Sequence, residues 1–204
     1  EITKHWLSIL KFNVSQNALK TRLKLKKYLK FIIYSLGILA ILFICIYKFY
    51  EYKYYQNLNW KDFNFFMSDI KKSKELPLNF YKAYEKRNPN SIKNDILGSI
   101  FYETECQSQR TARKIYMIVK KQNNNRFQNL TFEYFLTREI EKNTNQKQCL
   151  NWNVQNADLL YGNKGIENAS TFYYKTELEN LDTKDLENLI LMLESPLKYN
   201  PLRK

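Results

Sequence analysis

Glycine and proline occur only four times each in this chain of 204 residues, and no Gly/Pro/Ser-rich stretch interrupts it. Breakers this sparse argue against a many-turned β sandwich and favour helices. Without a flexible linker, the length fits one ordinary domain plus an anchor. Histidine occurs once, at His5, and cysteine three times, at Cys45, Cys106 and Cys149. None of these has metal-ligand spacing, so a zinc site is excluded, and no cofactor is expected. Cys106 and Cys149 could pair in an oxidising compartment or stay as two buried thiols, and both alternatives are open. The net charge of +13 comes without an aromatic-interleaved basic recognition motif, so no nucleic-acid partner is expected.

The charge is unevenly placed. Residues 1–30 hold eight Lys/Arg against one Glu. An uncharged apolar run then occupies residues 31–47, bounded by Lys30 and Lys48. Its length is at the short end of the roughly 17–25 residues that span a bilayer. Phe49, Tyr50, Tyr52, Tyr54 and Tyr55 follow as an interfacial aromatic belt would. A cleaved signal peptide fits less well, because the apolar core is long, an extended basic stretch precedes it and no small-residue cleavage site follows. The basic flank predicts a cytoplasmic N-terminus and contact with anionic lipid headgroups. The expected organisation is a basic cytoplasmic segment over 1–29, a transmembrane helix over 30–50 and an extracytoplasmic domain over 51–204.

Within that domain the apolar spacing predicts helices throughout. The first covers residues 59–74, where Trp60, Phe63, Phe65, Phe66 and Met67 form a broad patch, either core or membrane-resting. Pro77 opens the next, in the first-turn position that proline tolerates, and Asn88-Pro-Asn makes a turn. Helical spacing runs from Ile92 to about Lys121, followed by a polar loop at 122–126. Further helices are predicted over 130–141, 147–160, 168–174 and from an N-cap at Thr183, with Pro196 and Pro201 ending the last. Glu141 could pair with Arg138, three residues back on the same face. No strand run or internal repeat stands out.

Several segments carry a resemblance. They are Gly165-Ile-Glu-Asn-Ala-Ser170-Thr-Phe-Tyr-Tyr174 and Ser195-Pro-Leu-Lys-Tyr-Asn-Pro201, preceded by Asn129-Leu-Thr-Phe-Glu133 and Lys147-Gln-Cys-Leu150-Asn-Trp-Asn-Val154-Gln-Asn156. In this order they resemble the end of the peptidoglycan glycosyltransferase domain, glycosyltransferase family 51, a lysozyme-like fold that polymerises lipid II. The resemblance implies a mainly α protein, with one N-terminal transmembrane helix followed by a lysozyme-like helical domain. Glu133 stands at the acid of the family's Arg-Lys-x-x-Glu motif, but both basic residues are gone. Ser108-Gln-Arg-Thr-Ala-Arg-Lys114 stands where the family has Thr-Gln-Gln-Leu-Ala-Lys-Asn, which makes Arg110, Arg113 and Lys114 candidate phosphate-binding residues. The family's glycine-bearing lead-in to that motif is replaced by Glu103-Thr-Glu-Cys-Gln107, whose carboxylates would repel a pyrophosphate. The family's base, in Glu-Asp-x-x-Phe-x-x-His, falls at about Asn88, and no His follows. Glu85 is the candidate substitute.

Glycosyl transfer from a lipid pyrophosphate needs a base for the incoming sugar hydroxyl and cations for the leaving group. Three readings follow, in order of preference. The first is a catalytically degenerate member, acting as a binding or structural subunit of the bacterial cell envelope. It would sit in the inner membrane, with partners among the bilayer, lipid II or peptidoglycan, and other envelope membrane proteins. The second is a divergent active glycosyltransferase using Glu133 with Glu103 and Glu105. The third is an unrelated single-span helical subunit of an envelope or secretion complex.

Overall fold

A computed structural model describes residues 2–102, 104–121 and 126–203, with side chains from residue 26 onward except at 100, 102 and 126–128. The chain divides into two compact units, Glu1–Tyr52 and Lys53–Lys204. All regular structure among the described residues is helical. The expected loop at 122–126 falls largely outside the described residues, as does Glu103.

Helix α1 (Ile2–Asn57) makes up the first unit and lends its last residues to the second. Its stretch Lys26–Asn57 is long and apolar enough to cross a membrane, and none of its apolar window is buried against protein. Phe31, Tyr34, Leu39 and Phe43 all present most of their surface outward. Ser35 returns its hydroxyl to the Ile32 carbonyl at 2.8 Å, which satisfies a polar group that lipid cannot.

Among the described residues, the second unit packs the α-helices α2 (Trp60–Lys72), α3 (Leu78–Arg87), α4 (Ile96–Tyr102), α5 (Gln107–Val119), α6 (Arg126–Asn143), α7 (Gln146–Gln155), α8 (Ile166–Tyr174) and α9 (Thr183–Glu194), with a 3-10 turn at Leu178–Asn180. Helix α5 is central, packed against α2, α6 and α7. It lies antiparallel to α6, since Arg113 meets Glu133 while Lys120 meets Asn129. The end of α1 docks here. Tyr54 packs its ring on Phe132 and Phe135 at 5.0 and 5.7 Å, and Asn59 N–H donates to the Val119 carbonyl at 2.7 Å. On the other side of α7, helices α3, α8 and α9 enclose a core of Phe80, Leu150, Leu159, Ile166, Leu189 and Ile190. The patch on α2 divides: Phe63 and Met67 are buried, while Phe65 stays exposed.

Several expected boundaries move, among them the starts of α6 and α8, which lie before residues 130 and 168. Pro77 is the N-cap of α3, one place before its first turn. The continuous helical spacing from Ile92 to Lys121 is broken at 104–106, because Cys106 is extended (ψ 159°) and donates its N–H to Ser99 Oγ at 3.1 Å. Helix α7 ends at Gln155, where Asn156 caps it through two bonds to the Trp152 carbonyl. The following residues form a tight loop that buries Leu159 and pairs Asp158 with Lys164. The cap of α9 is Asp182, whose carboxylate accepts from Asp185 N–H at 2.8 Å, with Thr183 inside the helix.

Cys106 and Cys149 are free, buried thiols in this structure. Burial pushes the Cys149 thiol up to about 11.

Candidate functional site

Alternation along α5 decides the site. Ala112, Ile115 and Val119 are buried, so residues 110, 113 and 114 turn outward, toward a cleft between α3, α5, α7 and α9. The cleft has a volume of about 420 Å³. Its walls carry Tyr84, Glu105, Gln107, Arg110, Arg113 and Lys114 on one side and Asn153, Val154, Leu193 and Glu194 on the other. The three predicted cations are therefore brought together in one concavity.

They are not left open. Glu105, in the extended residues just before α5, accepts from Arg110 Nε at 3.1 Å and also from Arg113 Nη1. Arg113 Nε donates to Glu133 Oε1 at 2.8 Å, so one guanidinium joins the two carboxylates. Arg110 donates its Nη1 to the Tyr84 hydroxyl at 3.1 Å, and Gln107 Nε2 reaches the same oxygen at 3.0 Å. Lys114 donates to the Asn153 carbonyl at 2.8 Å. Loss of water around the Lys114 ammonium lowers its pKa to about 8, and the charge of Arg110 adds to this. It is still largely a cation at neutral pH. The two carboxylates and three cations together carry a single excess positive charge.

Burial pushes the Tyr84 phenol up, against the opposing pull of Arg110 and Gln107, so it stays protonated near neutrality. Glu194 is held at the rim by Arg87 through two bonds of 3.1 and 3.0 Å. The side-chain carbonyls of Gln107 and Asn153 are buried at the cleft wall without a hydrogen-bond partner among the described residues. Such acceptors call for a donor, either water or ligand.

Glu85 lies elsewhere: it pairs with Lys93 at 3.4 Å and does not line the cleft. Asn88 forms the C-cap of α3 and presents an amide. Glu141 accepts from Ile96 N–H at 2.8 Å and from the Ser108 hydroxyl at 2.7 Å, tying the starts of α4 and α5 to α6. Among the described residues, no group of three or more His, Cys, Asp or Glu could hold a metal ion.

Tyr84, Gln107 and Asn153 were not expected at the site. Tyr84 belongs to no motif, and its spacing with Phe80 is that of an ordinary buried helix face. Asn153 lies in a run from Cys149 to Val154 that is buried throughout, which erases the helical period that would have marked it.

No curated protein matches this chain. The family model described as a transglycosylase matches residues 108–204, from the start of α5 to the C-terminus. The helical unit containing them is consistent with a lysozyme-like domain. Residues 108–204, which supply both arginines of the cleft, Glu133 and the wall of α7, are thus the part of the chain that is similar to a transglycosylase.

Proposed function

We propose that this protein is a degenerate peptidoglycan-glycosyltransferase-like subunit. It is anchored in the bacterial inner membrane by α1, and its cleft faces peptidoglycan and binds glycan without polymerising it. The basic residues before the apolar stretch favour a cytoplasmic N-terminus, with the second unit on the other side of the membrane among other envelope proteins.

The observation that carries this reading is on α3. Where the resembled enzymes present a carboxylate base, this helix offers a protonated phenol, Tyr84, to the cleft, and an amide, Asn88, at its end. A phenol held protonated cannot take a proton from a sugar hydroxyl at neutral pH. The carboxylates lining the cleft, Glu105 and Glu194, each hold an arginine, and Glu133 holds Arg113 from α6. A nearly neutral cleft lined by amides, a phenol and already paired ions suits a hydroxyl-rich sugar chain better than a polyanion.

The test is retention of the detergent-purified full chain on insoluble peptidoglycan at about 0.3 M salt, where non-specific attraction of a basic protein is screened. Wild type should co-sediment. Arg113→Ala, which leaves Glu105 and Glu133 without their shared partner, should be retained several-fold less. Absence of wild-type retention, or equal retention of the variant, would sink the reading.

A second reading, a divergent active enzyme, has one observation in its favour. Glu105 and Glu133 converge on Arg113, a residue that lines the cleft, as relocated catalytic carboxylates would.

A further inference from the structure

The geometry points to Glu105 as the residue that sets which ligands the cleft accepts: its carboxylate occupies the seat between Arg110 and Arg113 and thereby excludes a diphosphate. This rests on the proposed function only in taking the cleft as the ligand site.

Two guanidiniums set three residues apart on one helix face, beside the first turn of α5, make an anion seat. In this chain that seat is filled from within. Glu105 Oε2 takes Arg110 Nε and Glu105 Oε1 takes Arg113 Nη1, so each carboxylate oxygen serves one arginine. A diphosphate would need the same donors. It would have to displace a carboxylate tethered five residues from Arg110, or enter beside it against like-charge repulsion. Glu133 takes a further Arg113 donor at 2.8 Å, which leaves little of that guanidinium for an external anion. Lys114 is turned to the Asn153 carbonyl. A neutral, hydroxyl-bearing ligand meets no such penalty, because it can bond to carboxylates and amides as well as to arginine.

Glu105 can be altered without dismantling the fold. Its side chain is 28% exposed and lies outside the helices, whereas the neighbouring Cys106 and Gln107 are fully buried.

The experiment is calorimetric titration of the full chain in detergent with inorganic pyrophosphate at pH 7, comparing wild type, Glu105→Gln and Glu105→Ser. The glutamine keeps the size without the charge, and the serine also clears the space. Circular dichroism checks that each variant is folded. Pyrophosphate binding should strengthen about tenfold or more in Glu105→Gln, further in Glu105→Ser, and be lost again when Arg113→Ala is added. If wild type binds pyrophosphate as tightly as either variant, Glu105 is no gate and the inference fails. If no variant binds it although all are folded, the arginines are not an anion seat, and the inference fails while retention on peptidoglycan, measured separately, can still hold.

Discussion

Replacing Gly165 with alanine should destabilise the second unit by about 3 kcal/mol, since backbone in the region of positive φ and extended ψ is essentially reserved for glycine and costs other residues 1–3 kcal/mol. Gly165 has φ 88° and ψ 151° as the residue preceding α8. A Cβ there would lie 2.7 Å from the Gln155 carbonyl oxygen, a backbone atom at the end of α7 that cannot step aside. Strain and clash therefore add, and either α7 or the start of α8 must move. For a unit of this size the melting midpoint should fall by about 6–12 °C. Gly162 provides the control. Its φ is 76°, but nothing lies within 4 Å of an added Cβ. Gly162→Ala should cost about 1 kcal/mol, the left-handed penalty alone. Equal losses at the two positions would contradict the packing of α7 on α8.

Phe80→Ala should have a still larger effect, about 3–5 kcal/mol by denaturant unfolding, as is usual for deleting a buried aromatic ring. Phe80 is fully buried at the centre of the core enclosed by α3, α7, α8 and α9. Its ring also stacks on Tyr84 at 5.8 Å. Its loss would therefore loosen the phenol that Gln107 and Arg110 hold at the cleft, as well as the core. Phe65→Ala on the exposed side of α2 should change stability by about 0.5 kcal/mol or less. The contrast separates core from surface within one aromatic-rich stretch.

The residues that were legible in the sequence are those whose signal is local. The apolar run of α1, the amphipathic α2, the existence of α6 and the Pro196 boundary follow from composition and spacing, whereas α8 begins at Ile166, two residues before the expected start. Where the signal depends on tertiary contacts, the reading slipped. No glycine or proline marks the break between α4 and α5, which rests on Ser99 holding Cys106. The early end of α7 rests on the Asn156 side chain and on the fold-back that buries Leu159. At the site, Arg110, Arg113 and Lys114 were visible because a motif position and helical spacing put them on one face. Their neutralisation by Glu105 and Glu133 was not, because ion pairs between separate elements leave no mark in spacing. Nor could the sequence show that Glu141 would brace the starts of α4 and α5.

The proposed loss of turnover rests on one feature of the unit that resembles a transglycosylase over residues 108–204: the arginines of its cleft are held by its own carboxylates. Glycosyl transfer requires a carboxylate free to take a proton and cations free to hold pyrophosphate, and in this cleft the same groups satisfy one another. The most direct measurement is polymerisation of lipid II by the detergent-purified full chain, beside an active peptidoglycan glycosyltransferase in a parallel mixture. The account predicts no glycan product from this protein while the active enzyme yields it. Glycan made by the wild-type chain and lost in Glu133→Gln would contradict the account and establish a working enzyme.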